Sequence, residues 1–180
     1  AVVSDGAADR GACEPRGPHR LQQGIEKLEY TADINTLLDA LKERINGLRT
    51  AEEEPLFADV RIACIDGFGR LCELLPDLAV PAAVLVAGTT EYEDAGASRR
   101  INIGVILVSS FSCAPEEARA SYGRLEAVCG LLTGDVPGAA VNIGGAHVLL
   151  NNFQPLEIDN GTNTAFVLDL TAQTSFKMEV

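Results

Sequence analysis

Along residues 34–48 the apolar side chains Ile34, Leu37, Leu38, Leu41, Ile45 and Leu48 recur at i, i+3, i+4, i+7, i+11 and i+14. That is the period of a helix of about four turns with a single apolar stripe. Asp33 stands where a helix start is capped, and Gly47 where a helix ends. Glu52, Glu53, Glu54 and Pro55 then form a solvated connection. Residues 56–65 predict a strand in which Ala58, Val60, Ile62 and Cys64 alternate loosely with polar neighbours. Residues 66–75 predict a short helix with Phe68, Leu71, Cys72 and Leu75 turned inward, and Pro76 stops it.

Residues 79–88 are almost all apolar, the pattern of a strand covered on both faces, with Pro81 at its start or on an edge. The polar stretch 89–98, with Glu91, Glu93, Asp94 and Gly96, reads as a flexible loop. Residues 99–110 give the clearest strand signal. Ile101, Ile103, Val105 and Leu107 alternate along it, and Ile106 and Val108 make its second face apolar too, so it belongs in the middle of a sheet. A second helix is predicted from Pro115 to about Leu132. Ser112 is placed to cap it, Glu116 and Glu117 suit the positive end of its dipole, and Gly134 and Pro137 end it. Its inward stripe reads Ala118, Tyr122, Leu125, Cys129 and Leu132.

The last segment is β-rich: a strand over 146–158, a turn at Asp159-Asn160-Gly161, and a returning strand over 164–176. Asn-Gly between two strand-like runs is a strong hairpin signal. On the returning strand Phe166, Leu168, Leu170 and Ala172 face one way, while Val167, Asp169, Thr171 and Gln173 face the other. The order α-β-(α)-β-β-α-β-β predicts an α+β domain, with a mixed or mostly antiparallel sheet and two main helices packed on one face. Residues 1–30 stand apart. They hold Gly6, Gly11, Pro15, Gly17, Pro18 and Gly24, mix charges of both signs and show no sustained period. They read as a flexible N-terminal arm or leader, before a single domain over 31–180.

The 180 residues are 47% hydrophobic and 22% charged, which excludes wholesale disorder. Lys+Arg 14 against Asp+Glu 26 leaves a net charge of -12, which sets the chain against nucleic acid as a partner. Cys13, Cys64, Cys72, Cys113 and Cys129 form no C-x-x-C pair, so neither a zinc site nor a disulfide framework is signalled. Four of them lie in apolar contexts and read as small buried hydrophobes in a reducing cytoplasm. The most apolar stretches, 78–88 and 101–108, are too short to cross a membrane, and residues 1–20 lack the apolar core of a signal peptide.

Candidate chemistry is sparse. His19 and His147 are the histidines, and a dyad of His147 with Cys64 or Cys129 has no orienting motif around it. Gly67-Phe68-Gly69 and Asn142-Ile143-Gly144-Gly145 read as tight turns, because neither opens a long helix after a strand. Glu91, Glu93 and Asp94 offer oxygen ligands but match no calcium loop, and Asn160-Gly161-Thr162 reads as the hairpin turn. The expectation is therefore no enzyme, no cofactor and no metal. Arg99 and Arg100, beside Glu91, Glu93 and Asp94, are the candidate interface. They would meet the acidic surface of a neighbouring copy, or be ordinary solvated charges at a strand end.

The helix of 34–48, then Leu56-Phe57-Ala58-Asp59-Val60, Pro81-Ala82-Ala83-Val84-Leu85-Val86, Arg99-Arg100-Ile101-Asn102-Ile103-Gly104-Val105 and the closing Phe166-Val167-Leu168-Asp169-Leu170 follow one another in a recognisable order. From about Ile34 onward the chain resembles the gp37-like family of Mu-type phages and prophages. Those proteins are similar to tail terminator, or tail completion, proteins of contractile and long-tailed phages. The resemblance implies a non-enzymatic α+β assembly protein that forms a hexameric ring, caps the tail tube and joins the tail to the head. Its implied partners are its own copies, the tail tube and sheath proteins and a head-completion protein. It implies a place in the bacterial host cytoplasm during assembly and then in the virion or a phage-tail-like particle. The joining surfaces would be an exposed sheet edge and charged loops. The alternatives are a small dimeric ligand-binding or regulatory α+β domain, a cysteine enzyme with a lowered thiol pKa, and a baseplate or head-completion part.

Overall fold

The computed structural model describes residues 30–64, 68–134, 138–158 and 161–176. The arm over 1–29 with Cys13 and His19, Gly67, Pro137 and the turn residues Asp159 and Asn160 lie outside the described residues.

The first helix, α1 (Ile34–Asn46), forms where its stripe predicts. The Asp33 side chain accepts the Thr36 amide at 2.8 Å, satisfying one of the donors that a helix start leaves free. Leu37, Leu38, Leu41 and Ile45 are buried. The strand expected over 56–65 shrinks to β1 (Asp59–Ile62). Its leading residues are held elsewhere: Leu56 donates to the Leu48 carbonyl, and Arg49 bridges to Pro55. A short helix, α2 (Phe68–Leu74), continues into a 3₁₀ turn (Leu75–Asp77) that contains Pro76. Leu71 and Leu75 turn inward as expected, but Cys72 is exposed.

The strand β2 (Ala82–Glu93) and its partner β3 (Ser98–Ser110) correct the flexible loop expected over 89–98. After a register shift between Ala87 and Thr90, the pairing resumes at Thr90 with Ile101 and runs to Glu93 with Ser98. Only Asp94, Ala95 and Gly96 remain for the turn, all at positive φ. The polar residues misled because Thr89, Thr90 and Tyr92 are good strand formers, and their charged neighbours pair across the hairpin. The long helix α3 (Pro115–Thr133) buries Leu125, Val128 and Leu132. Tyr122, expected inward, is 56% exposed. Ser112 does not cap the helix: its hydroxyl accepts the Ala114 amide, one step ahead of the first turn.

A strand not foreseen, β4 (Val141–Ile143), turns back through Gly144 and Gly145 into β5 (Ala146–Leu156), which pairs with β6 (Asn163–Ser175). The sheet has six strands in the order β1-β2-β3-β6-β5-β4. β1 runs parallel to β2 and the other neighbours are antiparallel, so the fold is α+β with a mixed sheet. α1 and α3 pack on one face, against Ile101, Ile103, Val105, Leu107, Leu168 and Leu170. On the opposite face Leu71, Leu75 and Leu78 cover Val84, Ile106 and Val108.

Candidate functional site

The five residues expected at an interface lie at one end of the β2–β3 hairpin but on different sides of it. Arg100 reaches across to Glu93 at 2.6 Å and lies 4.0 Å from Glu91. These three charges satisfy one another within the chain. Asp94 sits exposed in the turn. Arg99 points to the other face. Its guanidinium lies 4.3 Å from the centre of the Tyr30 ring and donates to the Thr174 hydroxyl at 3.0 Å and to the Ala32 carbonyl at 2.5 Å. Tyr30 in turn donates to the Gly96 carbonyl at 2.8 Å and stacks edge-on to Phe176. Arg99 is thus a tie between the segment leading into α1 and the end of the sheet. Its charge also contributes, as the smallest of several causes, to holding the Asp33 carboxyl below its ordinary value; the Thr36 amide is the largest.

The imagined cysteine dyad is not assembled. Cys129 packs against the helix-covered face, where burial and then the Glu126 charge push its thiol up. His147 lies on the opposite face, because its strand neighbours Ala146 and Val148 both point into the helix-side core. Cys64 follows β1, and three strands separate β1 from β5. The cysteines expected as buried hydrophobes are mostly outside: Cys64, Cys72 and Cys113 are exposed and Cys129 is half-buried. Each exposed one sits at an element end or on the solvent side of a short helix, where local apolar composition says little about depth. Among the described residues no three His, Cys, Asp or Glu side chains converge to hold a metal.

A second region was not foreseen. β4 pairs only with 146–148, so beyond Val148 the outer edge of β5 has no strand partner among the described residues. Within the strand a register shift lies between Leu150 and Asn152, where the Asn151 side-chain Nδ2 donates to the Thr171 hydroxyl at 2.8 Å. Where β5 and β6 approach their connection, Phe111, Tyr122, Phe153, Pro155 and Phe166 line an open, mainly apolar groove of about 640 Å³. Phe111, Tyr122 and Phe153 are each more than half exposed, and the Tyr122 and Phe166 rings lie 5.5 Å apart. Pro155 was the sequence signal, since a proline inside a strand marks an edge. The aromatic residues of the groove come from separate elements, which no periodicity could bring together.

No protein-family model matches this chain, and no curated protein matches it significantly. No helix among the described residues is long and apolar enough to cross a membrane.

Proposed function

We propose that the chain is a structural assembly subunit of a phage or prophage tail, resembling a tail terminator that forms a ring on the tail tube and joins it to the head. The observation that carries this reading is the outer edge of β5, which beyond Val148 pairs with no strand among the described residues, with an aromatic groove beside it. Unpaired backbone groups and half-exposed aromatic rings suit contact with other protein chains. The β2–β3 hairpin adds a firm charged end, since its Arg and Glu side chains are already paired. Its partners are its own copies, the tube and sheath proteins and a head-completion protein, met in the host cytoplasm and kept in the particle.

The groove also supports a second reading, a small ligand-binding domain, because its volume falls in the small-molecule range. Its openness, and its place against a strand edge, favour a protein chain over an enclosed small molecule. Light scattering with and without a purified tail-tube protein separates the two. A ring-sized assembly that appears or is stabilised with the tube protein is the expected outcome. A species of unchanged mass, indifferent to tube protein, would sink the terminator reading.

A further inference from the structure

We propose that the outer edge of β5 over 149–156, with the aromatic groove beside it, takes a second copy of this chain, edge to edge and antiparallel about a two-fold axis. The two ends of the sheet differ in a way that selects this one. β1 is four residues long and carries Asp59 and Arg61, paired at 2.6 Å. Short length and charge are how natural sheets keep an edge from accepting another strand. Residues 149–156 hold a bulge near Asn151 and Pro155, which limit strand pairing to part of their length, but they carry no ionisable side chain and show Leu149 and Phe153 to solvent at 36% and 51%. A chain of net charge -12 repels its own copies, so two of them meet most easily on a surface that is itself uncharged.

The regular part of the edge, 152–156, is complementary to itself about a two-fold axis, although Pro155 offers no amide. Such an axis passes between a residue and its own copy, and with Phe153 opposite Phe153 the pairing carries Leu149 and Leu150 of each copy to the 156–157 end of the other, beside the groove. The area is consistent with a reversible dimer. Phe111, Tyr122 and Phe153 each leave about half of roughly 200 Å² in water, on the order of 300 Å² per protomer. The strand edge, about 27 Å long and about 10 Å deep, adds roughly 270 Å². Two protomers then bury on the order of 1,200 Å², the lower limit for a specific interface and so the size of a weak, reversible one. The inference concerns the chain without its partners and uses the same edge as the tail-terminator reading; an isologous pair is not the head-to-tail contact of a ring, so the two are tested separately.

The test is sedimentation of the full chain, without tube protein, from about 1 to 300 µM, the range over which weak dimers form. A monomer–dimer equilibrium is expected, with amide exchange over 149–156 slowing as concentration rises. Phe153→Lys and Asn152→Lys should each weaken the dimer at least about tenfold, since each brings two like charges together at or beside the axis. Arg61→Glu, on β1, should leave it unchanged. A monomer throughout, or a dimer that both lysine variants leave intact, would overturn the proposal. So would amides over 149–156 that stay protected in the monomer at every concentration, because the chain's own residues would then be covering the edge. If one lysine variant fails to fold, the other and the exchange measurement on the unaltered chain decide.

Discussion

Gly145 shows how closely a single position can be determined. It sits in the β4–β5 turn at φ +85, and a Cβ built there would lie 2.6 Å from the Thr31 carbonyl oxygen. Gly161 also has positive φ, at +66, but a Cβ there would meet nothing within 4 Å. Gly145→Ala therefore carries both backbone strain and a clash with main chain, and Gly161→Ala carries strain alone. The expected cost is about 2–3 kcal/mol for Gly145→Ala and about 1 kcal/mol for Gly161→Ala. For a chain of this length each kcal/mol lowers the melting temperature by about 2–4 °C, so thermal melts of the two variants should separate clearly. Equal melting temperatures would mean that the segment before α1 shifts freely to accommodate the methyl group. Arg99 makes the same point for a charged residue. A sequence reading places it at an interface, but its guanidinium is held by Tyr30, Ala32 and Thr174.

At the scale of elements, α1 depends on its first turn. The Asp33 carboxylate accepts the Thr36 amide, and this bond is the main reason that its pKa falls below 3.8. Asp33→Ala should cost about 1 kcal/mol at neutral pH, the usual worth of such a cap. A depressed carboxyl pKa contributes stability that is present above the unfolded value and lost as pH falls through the folded one. The gap between wild type and variant should therefore hold at pH 7 and narrow below about pH 3.8, read from urea unfolding at each pH. A gap that widens on acidification would mean that the charge of Asp33 opposes folding. The same helix was legible in advance because its stripe, cap and closing glycine agree on one period. The central strand β3 was legible for a similar reason, with Ile101, Ile103, Val105 and Leu107 on one face and Ile106 and Val108 on the other. The β2–β3 hairpin was not, because a register shift and cross-strand ion pairs let polar residues continue a strand. Nor was β4, three residues whose place depends on partners in β5. The groove joins Phe111, Tyr122 and Phe153, from elements distant in sequence, and only packing assembles it.

For the whole molecule the net charge of -12 decides how copies can approach. Arg100 is already matched by Glu93 and Glu91, and Arg99 is turned into the fold, so neither arginine is left to attract an acidic neighbour. A contact between copies must then form against their mutual repulsion, on a surface such as the uncharged edge of β5. Screening lengths shrink from about 30 Å at 0.01 M salt to about 10 Å at 0.1 M, so added salt removes repulsion while costing an uncharged contact nothing. Self-association should tighten by at least about threefold over that range, and more gradually above it. A contact built from Arg99 and Arg100 against Glu91, Glu93 and Asp94 of another copy would respond in the opposite sense, because salt screens its attraction too. Sedimentation equilibrium at the two salt concentrations reads the sign directly. Tightening assigns the contact to the uncharged edge, whereas weakening returns it to the charged hairpin, which would then have to open its internal ion pairs to bind.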